Sequence, residues 1–290
     1  MAAAVAAAIA LAACPGAEAL GASLIVRRAG EGALSTLADS VAGEVKKKPG
    51  AGSPRIVEMT GDPIADRAAI EREAKQATVV YAVGADATGL VGDLPNAAII
   101  ALGIANPAKV KTSGTYLSVY PRLDRVFTFL QEKLAAKRVG FLHTPTQNGE
   151  MALLFAKAAQ TRGLTFNPIP VSSPGELARA LKDELPKIDV LLLAVDPLLF
   201  DRRNLETIVA QSIAQKKPAV GFLRDLTALG VPVCLVSSPG EVAAKAVELS
   251  EFTGIKGKKR VEIDSALVYL SRKSSAALNL SQDLGTVDGR

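Results

Sequence analysis

Between residues 137 and 230, short apolar runs alternate with amphipathic stretches of helical length, and no other feature restricts the fold as strongly. The runs 137–142 (KRVGFL), 188–195 (IDVLLLAV) and 218–223 (PAVGFL) are apolar along most of their length, as strands buried on both faces of a parallel sheet are. A fourth run, 164–171 (LTFNPIPV), contains Pro168 and Pro170, which donate no ladder bond, so it belongs at a sheet edge. The first half repeats the pattern with 22–27, 55–59, 78–83 and 97–102 as strands and with helical segments near 31–47 and 63–76. Asp62 followed by Pro63 supplies a cap and a first helical residue for the second of these. Strands alternating with helices predict a doubly wound α/β protein with parallel sheets.

The series breaks once. A strand-like run at 115–119 passes through Tyr120-Pro121 into a helix near 122–136, and a second strand–helix series then begins. This predicts two lobes with a first crossing near 119–122. A return to the first lobe serves the helix near 240–254, and a third crossing near 256–261 carries 261–269 (VEIDSALVY) back. The implied division is a leader at 1–19, a first lobe of 20–120 plus 238–256, and a second lobe of 121–237 plus 257–290. Ser-Ser-Pro-Gly-Glu occurs at 172–176 and again at 237–241, where each copy reads as a capping box that starts a helix.

Polar residues stand where the strands of the second series end: His143 to Asn148, Asp196-Pro197 and Arg224-Asp225. In open α/β sheets ligands bind in the crevice beyond the carboxyl ends of the strands, so these groups lie where a small-molecule site belongs. Much chemistry is missing. His143 is the only histidine, so no metal site or triad built on several histidines exists, and the glycine patterns of nucleotide cradles and GxSxG are absent. A Cys–His pair requires Cys234 to meet His143, and Cys234 lies in the apolar run 231–236, the setting of an inert buried thiol. No catalytic residue, metal or cofactor is therefore assigned. The net charge of +5 is dispersed, and with 4% aromatics and no Trp there is no stacking surface for nucleic acid.

The first residues are of another kind. MAAAVAAAIALAAC is uncharged, Ala-rich and of secretory-leader length, too short to span a bilayer. Leu11 to Cys14 fits a lipobox, with Cys14 the residue to be lipidated; Ala17-Glu18-Ala19 offers a competing cleavage site. Both predict export to the periplasm or the outer face of a membrane, with contact to the membrane only through a lipid anchor.

From Val79 to Leu280 the chain resembles the substrate-binding proteins of bacterial ABC importers with the type I periplasmic-binding fold, in particular the tryptophan- and tyrosine-associated branch. The resemblance rests on residues 137–145 (KRVGFLHTP), 171–174 (VSSP), 196–200 (DPLLF) and 220–225 (VGFLRD), with 81–85 (YAVGA) and 103–107 (GIANP) in the first lobe. It implies two Rossmann-like lobes with a small ligand between them and an ABC permease as partner. It places Gly84, Ala85, Ile104, Ala105 and Asn106 on the first lobe's side of the ligand. Thr144, Gln147, Asn148, Asp196 and Arg224 face it from the second. Asp196 would meet an ammonium and Arg224 a carboxylate, so an amino-acid-like or carboxylated ligand is expected. The chain departs from the family at 106–114 and at 234–240, where CLVSSPG replaces a stretch carrying an aromatic ring. These departures favour, as the alternative, a non-transport envelope protein that uses the scaffold for protein–protein contact.

Overall fold

A computed structural model describes residues 22–30, 32–50, 52–92, 94–106, 114–251 and 259–286. The leader with Cys14 and residues 107–113 and 252–258 lie outside the described residues. In chain order the first part comprises β1 (Ser23–Arg28), α1 (Ala33–Lys46), β2 (Arg55–Met59), α2 (Pro63–Ala74), β3 (Val79–Val83), α3 (Ala85–Val91), β4 (Ala98–Ile104) and β5 (Thr115–Ser118). Then follow α4 (Leu123–Lys133), β6 (Arg138–His143), α5 (Pro145–Thr161), β7 (Thr165–Pro170), α6 (Pro174–Glu184), β8 (Val190–Leu193), α7 (Pro197–Phe200) and α8 (Arg202–Ala214). The last elements are β9 (Ala219–Gly221), β10 (Val233–Val236), α9 (Pro239–Ser250), β11 (Arg260–Val261), β12 (Leu267–Leu270) and α10 (Arg272–Ala277).

The strands form two sheets, in the orders β11-β5-β4-β3-β1-β2 and β12-β10-β9-β8-β6-β7. Every described pairing is parallel except β12 against β10. The α/β class with parallel sheets is thus as the sequence predicts. The proline-bearing strand β7 stands at an edge, beside β6. All five residues of β3 are buried, because helices cover both faces of its sheet. One face packs Ile25, Tyr81, Ile100 and Leu117 against Leu37 and Val41 of α1 and Val242 and Val247 of α9. The other packs Val26, Val80 and Ile99 with Ile70 of α2 and Ala87 of α3. The second sheet has one continuous core, with Tyr120, Phe127, Phe141, Phe155 and Phe222 fully buried within it.

α9 leaves the second sheet at β10 and lies on α1, so the chain does return to the first core. The last passage comes later than the sequence predicts. Arg260–Val261 pairs with β5 in the first sheet, and Arg122 N–H donates to Ile263 O at 2.9 Å. The chain reaches the second sheet only at Leu267, so the run 261–269 is two strands separated by a crossing. Salt bridges from Arg122 to Asp124 (3.0 Å) and to Asp264 (2.8 Å) pin that segment to the first crossing.

The two Ser-Ser-Pro-Gly-Glu copies behave differently. At α6 the Ser173 hydroxyl accepts from Glu176 N–H at 3.2 Å, and the Glu176 carboxylate accepts from Ser172 N–H at 2.7 Å. At α9 Ser238 makes no side-chain cap, and Glu241 instead accepts from the Ser265 hydroxyl. The second copy is therefore not a capping box, because its Glu is drawn to the last crossing.

Candidate functional site: the cleft between the lobes

The carboxyl ends of both sheets approach one another around a cavity of about 80 Å³. The first lobe contributes Gly103 near the end of β4, Ser118 and Val119 at the end of β5, and the starts of α1 (Ala33, Leu34, Leu37) and α9 (Pro239, Val242). The second lobe contributes Phe222 and Leu223 beyond β9, with Val236 and Ser237 at the end of β10. No lining side chain carries a charge. Two larger hollows, about 330 and 280 Å³, lie on the outer surface of the second lobe around Arg202 and Lys273 and around Asn167 and Arg179. Neither is lined by the first lobe, whereas the smaller cavity takes its walls from both lobes, in the crevice where ligands of this architecture bind.

Leu34 dominates the first lobe's side of the cleft. Its methyls would stand 3.0 Å from a Cβ at Gly84 and 2.9 Å from one at Gly103. Both glycines have positive φ, +91° and +68°: Gly84 in the turn that follows β3 and Gly103 at the irregularity within the last residues of β4, each a conformation that glycine takes without strain, with a leucine laid over it. Leu34 itself is 44% exposed and looks into the cleft. Ser237 is 7% exposed and its hydroxyl has no hydrogen-bond partner. The Ser118 hydroxyl accepts from Tyr120 N–H at 3.1 Å.

The polar residues that end β6 and β8 form a knot among themselves. Asp196, 1% exposed, accepts through Oδ2 from Thr144 N–H (3.0 Å), Thr144 Oγ1 (2.5 Å) and Asn148 Nδ2 (2.9 Å), and through Oδ1 from Leu198 N–H (3.0 Å). The carboxylate thus caps α7 and ties it to the start of α5. Asn148 departs from helical geometry inside α5 (φ −131°, ψ 16°) and also donates to Val195 O. Its Oδ1 is buried without a partner. Tyr120 supports the same corner: its hydroxyl accepts from Val195 N–H at 2.9 Å, and burial pushes its ionisation far up. His143 is 4% exposed, stacks on Phe141 at 5.3 Å and is held below its ordinary value by burial, so it sits neutral in the core.

None of the residues nominated from sequence lines this cavity. Asp196 and Thr144 are committed to internal bonds and buried, so Asp196 is no open partner for a ligand ammonium. Ile104, 1% exposed, packs with Ala101 and Tyr116 rather than facing a ligand. Gly84 is buried with its N–H donated to Leu102 O at 2.8 Å, while Ala85 is exposed on the seven-residue α3. Ala105, Asn106 and Gln147 meet where the lobes touch: Ala105 packs on the second core and Asn106 Nδ2 donates to Gln147 O. Asn148 joins the Asp196 knot. Arg224 is exposed and lays its guanidinium over the Tyr269 ring, 5.1 Å from the centroid, rather than reaching into the cavity. Of the residues missed, Leu34, Val236 and Val242 carry no motif, Phe222 lies within 220–225, and Ser237 opens the second Ser-Ser-Pro-Gly-Glu, which reads as a helix start rather than a site.

Among the described residues no cluster of His, Cys, Asp or Glu could hold a metal ion, and no helix is long and apolar enough to cross a membrane. No family model and no curated protein sequence matches the chain. Solved structures do. The chain is similar to a substrate-binding protein with adhesive properties from Clostridium difficile in its ligand-free, open form. Identity is 13% over 90% of this chain and 96% of that one, with a TM-score of 0.67. It is similar to a Streptococcus ABC domain in complex with L-Trp, at 14% identity, covering 89% of this chain and 95% of the other, with a TM-score of 0.59. A LacI family transcriptional regulator from Arthrobacter in complex with lactose matches at 14% identity over 86% and 98%, with a TM-score of 0.50. The fold is that of the type I periplasmic-binding proteins.

Proposed function

We propose that the protein binds a small molecule between its two lobes and serves as the exported solute-binding component of an ABC importer. The observation that carries this reading is the cavity at the strand ends, whose walls come from both lobes. A ligand that touches both walls stabilises the closed arrangement over the open one, and a permease can distinguish the two. The apolar leader supports export, with Cys14 as lipid anchor or Ala19 as cleavage point. The likeness to substrate-binding structures supports the transport role at the level of the fold.

One observation favours a second reading, an envelope protein that uses the lobes for protein contact. The polar groups at the ends of β6 and β8 are spent on each other, while Ile64 and Leu153 present 83% and 73% of their surface to solvent. Native mass spectrometry of protein purified from its own host separates the two. A stoichiometric adduct of small-molecule mass supports the binding protein, and a bare chain that co-elutes with a protein partner supports the scaffold.

A further inference from the structure

The cavity lining says what kind of group can enter. Its walls are the side chains of Leu34, Leu37, Phe222, Leu223, Val236 and Val242, and no ionisable side chain stands among the lining residues. A carboxylate or ammonium placed there would lose its water without gaining a counter-charge, which costs several kcal/mol. The volume of about 80 Å³ matches three or four carbon-sized groups at ordinary packing density. One polar atom is out of keeping with the rest. The Ser237 hydroxyl is buried and unpartnered at the end of β10, an arrangement that costs the empty protein stability and is relieved by a ligand donor or acceptor.

We propose that the cavity takes the branched aliphatic end of an uncharged small molecule, that the Ser237 hydroxyl holds a neutral polar group of that molecule, and that Leu34 limits the size of the group admitted. The inference rests on the cleft-binding reading and narrows it to neutral, branched ligands. Leu34 acts as a specificity residue because it covers both glycine turns, so its truncation opens the floor between β3 and β4. Ser237 shows the opposite signs expected of a binding group held at a cost. Ser237→Ala should raise the melting temperature of the empty protein and weaken the ligand, whereas removing a hydroxyl with a structural role would lower the melting temperature.

The test is a methyl-resolved NMR titration with three probes of one skeleton: 4-methylpentanamide (neutral), 4-methylpentanoate (anionic) and leucine (zwitterionic). The proposal predicts that the amide shifts the methyls of Leu34, Leu37, Leu223, Val236 and Val242 and binds at least tenfold more tightly than either charged probe. Ser237→Ala should weaken it about five- to tenfold, the value of one hydrogen bond. Leu34→Ala should admit the bulkier cyclohexylacetamide, and Ala33→Trp, at an exposed position on the cavity rim, should block all binding. If a charged probe shifts the same methyls as tightly as the amide, the neutral class is overturned while the cleft reading stands. If Ser237→Ala lowers the melting temperature and leaves amide affinity unchanged, the assignment of Ser237 is overturned. If no probe at millimolar concentration moves those methyls, the neutral branched class is overturned, and the native mass spectrum decides the cleft reading separately.

Discussion

Asp196 stands at the end of an apolar strand with both carboxylate oxygens engaged, and its partners Thr144 and Asn148 are 52 and 48 positions away in the chain. Removing it would orphan several buried donors at once, each costing about 1–3 kcal/mol. Asp196→Ala is therefore expected to lower stability by about 3 kcal/mol or more, read as a shift in the urea midpoint at constant slope. Its position at a strand exit was legible in the sequence, but the engagement of Oδ2 was not, because those three donors arrive from another strand–helix junction. Arg224 makes the same point from the surface, since the ring it covers lies on β12, in a run whose strand boundaries the sequence did not mark. Cys234 was legible in full. Its thiol is buried and pushed up to about 12 by burial, so mass-mapped alkylation of the native protein at pH 8 should leave it unlabelled until denaturant is added.

At the scale of elements, β6 and β8 begin from one shared contact. Asp189 accepts from Lys137 N–H (3.0 Å), Arg138 N–H (2.8 Å) and the Arg138 guanidinium (2.7 Å). Led by the Arg138 bond, these interactions hold its carboxyl down to about 2. The folded value lies below the unfolded one of about 4, so the stabilisation is present above about pH 4 and is lost as pH falls toward 2. Asp189→Asn should flatten the dependence of melting temperature on pH across that window, and an unchanged slope would refute the contact's role. Further along β6, a Cβ at Gly140 would stand 2.6 Å from Ile188 Cδ1 and 2.9 Å from Ile169 Cδ1. Gly140→Ala is expected to cost about 1–3 kcal/mol through overpacking. Strands of five or more residues were readable from their apolar runs. β11, two residues long, was not, since two residues show no alternation and its place is set by pairing with β5. The second Ser-Ser-Pro-Gly-Glu misled for a related reason: local sequence offers the cap, and a distant Ser265 claims the Glu.

For the molecule as a whole, the two-sheet division follows from the restart of the strand–helix series after Tyr120, and that restart is local enough to be read along the chain. The cavity is not local. It gathers residues from five separate segments, and its defining property is the absence of charge, which no motif announces. The proposed function requires the two walls to move together when a ligand arrives. Spin labels at Ile64→Cys on α2 and Leu153→Cys on α5, with Cys14 replaced by Ser and Cys234 buried, stand on opposite lobes at highly exposed positions. Double electron–electron resonance between them, with and without a host metabolite extract, tests lobe closure directly. The account predicts a shorter and narrower distance distribution with the extract, and a return to the ligand-free distribution in the Ala33→Trp background. A distribution that stays the same with and without extract would contradict it.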